Sequence, residues 1–219
     1  MRVCELFESL QGEGLTVGSP SFFIRTGRCS VGCKLCDTKY SWDSGRDYSV
    51  EELVKEVKRS SLPEVVITGG EPLEEEELPL LLEALSSLSF VRRITLETCG
   101  YIYRELPKSK LHLVLSPKPP TMGVEFPEKE LLKFLRNYED AELKYTLYTE
   151  EDLRVIEDFL FSHPSLVPQP VVLQPLHHPQ EDYPKTCRRV WQMVRGREEL
   201  LKNFEVRLIP QVHKLLGLK

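Results

Sequence analysis

The chain has 219 residues, a formal net charge of −5 and six cysteines. That length fits one domain, residues 1–219, with a single substantial core, and the acidic balance argues against a broad basic face for nucleic acid. No apolar run approaches membrane-spanning length, the opening residues do not form a signal peptide, and cysteines in a chain too large to need disulfide staples point to the reducing cytoplasm.

The first informative segment is Leu10-Gln11-Gly12-Glu13-Gly14, a polar loop broken by glycines. A strand is predicted over 21–25, with Phe23 and Arg25 on one face and Phe22 and Ile24 on the other. It leads into Cys29-Ser30-Val31-Gly32-Cys33-Lys34-Leu35-Cys36, three thiols spaced C-x3-C-x2-C, followed by Asp37-Thr38. Thiolates hold iron–sulfur clusters, and a cubane of four irons takes one ligand per iron, so three thiols leave one iron for a ligand that is not protein. Structural zinc is the competing reading, but zinc sites pair such thiols with a second Cys or His couple within reach, and the nearest histidine here is His112.

Ser49-Val50-Glu51-Glu52 reads as a capping box that opens a helix running to about residue 60. The next strand, 64–68, ends in Thr68-Gly69-Gly70-Glu71-Pro72, where paired glycines let the backbone approach a ligand and Glu71 can accept from an amino group. Alone, the same residues describe an ordinary strand-to-helix turn. The run Glu74-Glu75-Glu76-Glu77 reads as the solvated first turn of a helix over 77–88. Further strands are expected at 93–97, 111–115, 142–146, 171–174 and 206–209, with helices over 128–136, 149–161 and 183–201. Strands alternating with helices predict an α/β fold with a parallel sheet. About six units fit, short of the eight of a complete barrel, so an open, partial (β/α)6-type barrel is expected, its reactive groups at the carboxyl ends of the strands.

The cysteine loop followed by the Gly-Gly-Glu turn resembles the signature of the radical S-adenosylmethionine superfamily. The resemblance implies a 4Fe-4S cluster on Cys29, Cys33 and Cys36, S-adenosyl-L-methionine on the open iron, and Gly69, Gly70 and Glu71 at its amino group. Around these lie Gln11-Gly12-Glu13-Gly14, Arg25-Thr26-Gly27-Arg28, Cys36-Asp37-Thr38, Glu97-Thr98-Cys99-Gly100, Ser116-Pro117-Lys118, Leu173-Gln174-Pro175 and Pro210-Gln211-Val212-His213-Lys214. In that order, over nearly the whole chain, they resemble the 7-carboxy-7-deazaguanine synthases. Such a lyase converts 6-carboxy-5,6,7,8-tetrahydropterin to 7-carboxy-7-deazaguanine with loss of ammonia, in 7-deazapurine (queuosine) biosynthesis.

The resemblance further implies Mg2+ with Thr38 as its protein ligand, and Thr98, Gly100, Ser116, Lys118 and Gln174 at the cofactor. Gln11, Glu13, Arg25 and His213 would engage the pterin, with the α-carboxylate of Lys219 helping to close the pocket. A flavodoxin or ferredoxin as electron donor and a homodimer are also implied. Cys99 departs from the Asn or Ser common at that position. Arg25 alternatively reads as a structural ion pair inside the barrel, Lys118 as a solvated loop residue, and the chain end as a frayed tail. Two other functions compete: an activase that makes a glycyl radical on a partner protein, and an iron–sulfur or zinc module without catalysis.

Overall fold

The computed structural model describes residues 1–219. Its nine strands are β1 (Arg2–Leu10), β2 (Pro20–Thr26), β3 (Arg46–Asp47), β4 (Glu64–Gly69), β5 (Arg93–Thr98), β6 (Leu111–Leu115), β7 (Ala141–Leu147), β8 (Val171–Pro175) and β9 (Val206–Leu208). They form one sheet in the order β3-β1-β2-β4-β5-β6-β7-β8-β9. From β2 to β9 all neighbours run parallel, while β1 is antiparallel to both β2 and β3. Strands β3 and β9 sit at opposite ends, so the barrel is open. The expected (β/α)6-type core is present, extended by the short parallel strand β9.

Period two decides what each strand faces. Phe22, Ile24, Val65, Ile67, Leu143 and Leu173 belong to the main apolar core. Their neighbours Phe23, Arg25, Val66, Thr68, Lys144 and Gln174 line a cavity instead. Helices α1 (Val50–Ser60), α2 (Leu78–Ser86), α3 (Glu128–Asn137), α4 (Glu150–Ser162), α5 (Tyr183–Arg195) and α6 (Glu198–Asn203) follow the strands in chain order, and α7 (Val212–Leu216) follows β9. Leu53 and Val57 of α1 and Leu81, Leu82 and Leu85 of α2 join the same core, each contributing about 1.5–3 kcal/mol by burial.

Two capping boxes form, the expected one at α1 and a second at α4. Ser49 Oγ accepts from Glu52 N at 3.2 Å while Glu52 Oε2 accepts from Ser49 N at 2.8 Å. At α4, Thr149 Oγ1 accepts from Asp152 N at 3.2 Å and Asp152 Oδ2 accepts from Thr149 N at 2.9 Å. The fully buried Asp152 also accepts from Thr121 N at 3.0 Å, tying α4 to the segment after β6.

Three expectations change. The helix predicted over 183–201 breaks after Arg195, where Gly196 caps α5 and a separate α6 begins at Glu198. The acidic run is not a uniformly solvated turn. Glu76 and Glu77 are exposed, but Glu75 is buried, accepting from Arg2 N at 2.9 Å, with the Arg28 guanidinium 3.8 Å away. The third change is β1 itself, a nine-residue strand with no counterpart among the predicted elements. Glu5 and Glu8 put charge on both faces of the strand, and a register shift between Val3 and Glu5 breaks the alternation that signals a strand.

Candidate active site

The cysteine loop leaves the carboxyl end of β2 and is braced by the Gly-Gly-Glu turn after β4. Glu71 N donates to Arg28 O at 2.6 Å and Gly70 N to Thr26 O at 3.1 Å. Glu74 Oε1 accepts from both the amide and the hydroxyl of Ser30, each at 2.7 Å. A Cβ on Gly70 would stand 1.8 Å from Arg28 O and 3.0 Å from Cys29 Cβ. Glycine is therefore required here by close approach. Farther along the loop, Lys34 N donates to Met122 O at 2.8 Å, binding it to the segment after β6.

Cys29, Cys33 and Cys36 are free thiols lining one cavity of about 300 Å³. Three thiols on one cavity are the ligand number of a cubane that leaves one iron open, and no histidine or fourth cysteine of the same loop joins them to complete a zinc set. Burial, reinforced by the charges of Glu71 and Glu74, pushes the Cys29 thiol up to about 11, and burial also raises Cys33. Iron held by these sulfurs would reverse that preference by stabilising the thiolates.

Along the adjoining wall lie Gly69, Gly70, Thr98, Ser116, Lys118 and Gln174. Lys118 Nζ is 3.4 Å from Ser116 Oγ. Gln174 is 3% exposed, and its Oε1 has no partner within the protein, an acceptor left for a ligand. Glu71 and Gly100 do not line this wall. The Glu71 carboxylate is turned inward, accepting from Thr98 Oγ1 at 2.7 Å, Cys99 N at 2.9 Å, Cys99 Sγ at 2.6 Å and Leu73 N at 3.1 Å. It works as a strut between the ends of β4 and β5. Burial and the Glu71 charge push the Cys99 thiol well up, which keeps it a donor to that carboxylate. Gly100 lies near Leu131 of α3.

The rest of the cavity is built by the loop after β1, by β2, β5 and β7, and by the chain end. Gln11 Nε2 donates to Glu97 Oε1 at 3.3 Å, and Gln11 Oε1 accepts from Glu13 N at 3.2 Å. Glu13 accepts from Lys144 Nζ and from Gln211 Nε2, both at 2.6 Å. His213 packs so tightly on Gly12 that a Cβ there would lie 2.1 Å from its Nδ1, and burial holds the imidazole below its ordinary range. Arg25 Nε donates to Glu5 Oε2 at 3.0 Å, its guanidinium 5.6 Å from the Phe7 ring centroid. Both readings of Arg25 thus describe one residue, which is ion-paired and lines the cavity. Lys219 lies at the same rim, Nζ 2.7 Å from Glu5 Oε1 and its main-chain oxygen accepting from Ser9 Oγ at 2.8 Å. Thr38 also lines the cavity, its Oγ1 3.4 Å from Cys36 Sγ.

Residues not singled out from sequence complete the site: Glu5, Phe7, Glu97, Lys144 and Gln211. Lys144 and Glu97 left a signal, because each is a charge inside a strand whose flanking residues are apolar or threonine. In a sheet covered by helices such a charge must point to the interior face.

Residues 23–161 match the Radical SAM superfamily. A 7-carboxy-7-deazaguanine synthase of Aquifex aeolicus is 36% identical, the alignment covering 98% of this chain and 93% of that one. A 7-carboxy-7-deazaguanine synthase of Pyrobaculum aerophilum is also 36% identical, over 90% of this chain and 89% of its own. Among solved structures, QueE from Escherichia coli superimposes with a TM-score of 0.74 at 25% identity, covering 97% of this chain and 94% of that chain.

Proposed function

The chain belongs to the radical S-adenosylmethionine superfamily and, within it, to the 7-carboxy-7-deazaguanine synthases, and from that membership we infer how its own residues serve the reaction. It is a lyase that contracts 6-carboxy-5,6,7,8-tetrahydropterin to 7-carboxy-7-deazaguanine with loss of ammonia, in 7-deazapurine biosynthesis. The observation that carries the reading is a single cavity lined both by the three thiols and the Gly-Gly turn and by Gln11, Glu13 and Arg25.

When bound, the 4Fe-4S cluster and S-adenosylmethionine supply the carbon radical that removes hydrogen from the substrate. We assign the cluster to Cys29, Cys33 and Cys36. The edges of Gly69 and Gly70, with Thr98, Ser116, Lys118 and Gln174, would orient the cofactor. Glu71 and Gly100 act behind that surface, by fixing the turn and the β5 end. Mg2+ would take Thr38 Oγ1 as its protein ligand, with water and substrate oxygens completing the shell, as suits a small hard cation. Gln11 and Glu13 would face the donor edge of the pterin, while His213 and Lys219 close the rim.

Arg25 would bind the substrate carboxylate. Glu5 takes the Nε edge of its fork and leaves the terminal nitrogens for the ligand. A flavodoxin- or ferredoxin-type donor, a homodimer, a single working domain and a cytoplasmic setting complete the proposal. No helix is long and apolar enough to cross a membrane.

The test is Arg25→Lys. Lysine keeps the charge but cannot form the planar fork, so loss of a charged hydrogen-bond contact worth roughly 1.5–3 kcal/mol should raise the pterin KM about tenfold to a hundredfold. Cleavage of S-adenosylmethionine uncoupled from the pterin should persist. A variant that unfolds or loses iron would assign Arg25 to the fold through Glu5 instead.

A further inference from the structure

We propose that Lys144 is a positioning residue, binding Glu13 and Glu97 into one partly neutralised acceptor pair for the donor edge of the substrate. The inference rests on the pterin reading above and adds two residues to it. The Lys144 side chain is only 3% exposed, its ammonium 2.6 Å from Glu13 Oε2 and 2.7 Å from Glu97 Oε2. It reaches from β7 to β5 and to the loop after β1, so it joins three segments that share no strand pairing with one another.

Each carboxylate uses its second oxygen on a neutral amide, Glu13 on Gln211 at 2.6 Å and Glu97 on Gln11 at 3.3 Å. All five side chains line the cavity. One ammonium between two carboxylates leaves a net negative charge, which suits a neutral ligand edge made of N–H donors, such as an aminopyrimidinone. Without Lys144, two carboxylates would share a partly buried site, and like charges so placed cannot both stay ionised at ordinary cost.

The two carboxylates differ in a way that says which would yield. Burial acts to raise both. At Glu13 the Lys144 charge and the hydrogen bonds from Gln211 and Lys144 overcome it and hold the carboxyl well below the usual range. At Glu97 burial, reinforced by Glu13 and Glu142, outweighs Lys144 and leaves the carboxyl raised. The other charged groups facing this network are Glu142 of β7, His112 of β6, whose Nε2 is 3.1 Å from Glu142 Oε2, and His213 of α7. Glu13 also holds the shorter amide contact, 2.6 Å from Gln211 against 3.3 Å from Gln11 at Glu97, so removal of the ammonium should put the first proton on Glu97. That turns an acceptor into a donor and weakens binding as pH falls.

The experiment measures the KM for 6-carboxy-5,6,7,8-tetrahydropterin against pH with cluster-reconstituted wild type, Lys144→Met and Lys144→Met/Glu97→Gln. Lys144→Met should raise KM about tenfold to a hundredfold with a smaller change in kcat, and its ratio to wild type should fall as pH rises. Glu97→Gln fixes position 97 in the neutral, donor-bearing form that Lys144→Met takes at low pH, so the double variant should keep the raised KM of Lys144→Met at low pH and lose the pH slope. A Lys144→Met enzyme with wild-type KM throughout, a raised KM with no pH slope, or a double variant with wild-type KM would overturn the proposal. If Lys144→Met does not fold, the double variant decides: a folded enzyme with a raised, pH-independent KM and a smaller change in kcat supports the proposal, while failure to fold or a near-native KM overturns it. Wild-type protein that never turns over the pterin would defeat the functional reading itself, a separate result from a normal wild type with an unresponsive Lys144→Met.

Discussion

Cys33→Ala should leave a folded protein that holds almost no iron after reconstitution and cleaves no S-adenosylmethionine. The reasoning begins with where Cys33 packs. It is buried with Met122 and Leu176 in a small apolar cluster separate from the main core. Removing its sulfur therefore costs the fold little, while removing one of the three proposed cluster ligands would leave an iron with nothing to replace it. Cys99 is the other thiol on the cavity wall, but its Sγ donates to Glu71 at 2.6 Å, and burial holds it protonated. It is committed to the strut. Cys4 and Cys187 do not line the cavity, so alanine at either should leave iron content and visible absorption unchanged. Iron per chain, visible absorption and circular dichroism on the same samples check the result, and a normal cluster in Cys33→Ala would remove Cys33 from the ligand set.

Gly70→Ala is expected to be nearly as damaging, by steric force instead of lost ligation. The added methyl would meet Arg28 O at 1.8 Å and Cys29 Cβ at 3.0 Å, and the first of these is backbone that cannot rotate away. The turn or the cysteine loop must move, breaking the 2.6 Å hydrogen bond from Glu71 N to Arg28 O. Forced overpacking of this kind costs about 1–3 kcal/mol, and here the displaced atoms carry Cys29, one of the proposed cluster ligands. Iron occupancy should drop sharply and Tm should fall. Gly196→Ala is the matched control, because Gly196 has helical dihedrals and its added Cβ would come no closer than 3.6 Å to a neighbour. Equal iron content in the two variants would mean that the turn does not brace the loop.

Much of this was legible in the sequence for a physical reason. Parallel strands buried on both faces are short apolar runs, and Glu64–Thr68 or Val171–Gln174 can be read without knowing their neighbours. Ser49–Glu52 and Thr149–Asp152 announce helix starts because their capping bonds are local. The thiols stand out by their own spacing, whereas the Gly-Gly turn and Arg25 were placed at the site by their match to the family's motifs. What stayed hidden depends on distant partners. Glu5 looks like one more surface acid until β1 pairs with β2 and brings it to Arg25. Glu75 looks solvated until Arg2 and Arg28 close over it. Glu71 was expected at the ligand because its motif contacts one, yet its carboxylate is consumed by Thr98 and Cys99, and only the three-dimensional arrangement reveals that.

Function follows from this division of labour. The interior face of the sheet is polar because period two sends Arg25, Glu97 and Lys144 inward while their neighbours build the core. The carboxyl ends of β2 and β4 carry the cysteine loop and the Gly-Gly turn, so under the proposed assignment a radical made there would meet a substrate held by the interior charges.

The measurement that tests this most directly is anaerobic incubation of the reconstituted protein with 6-carboxy-5,6,7,8-tetrahydropterin, S-adenosylmethionine, Mg2+ and a reductant, with all products identified by mass spectrometry. The predicted result is 7-carboxy-7-deazaguanine, together with 5′-deoxyadenosine and methionine, and no deazaguanine from Cys33→Ala. Cleavage of S-adenosylmethionine that leaves the pterin unchanged in the wild-type reaction would contradict the account.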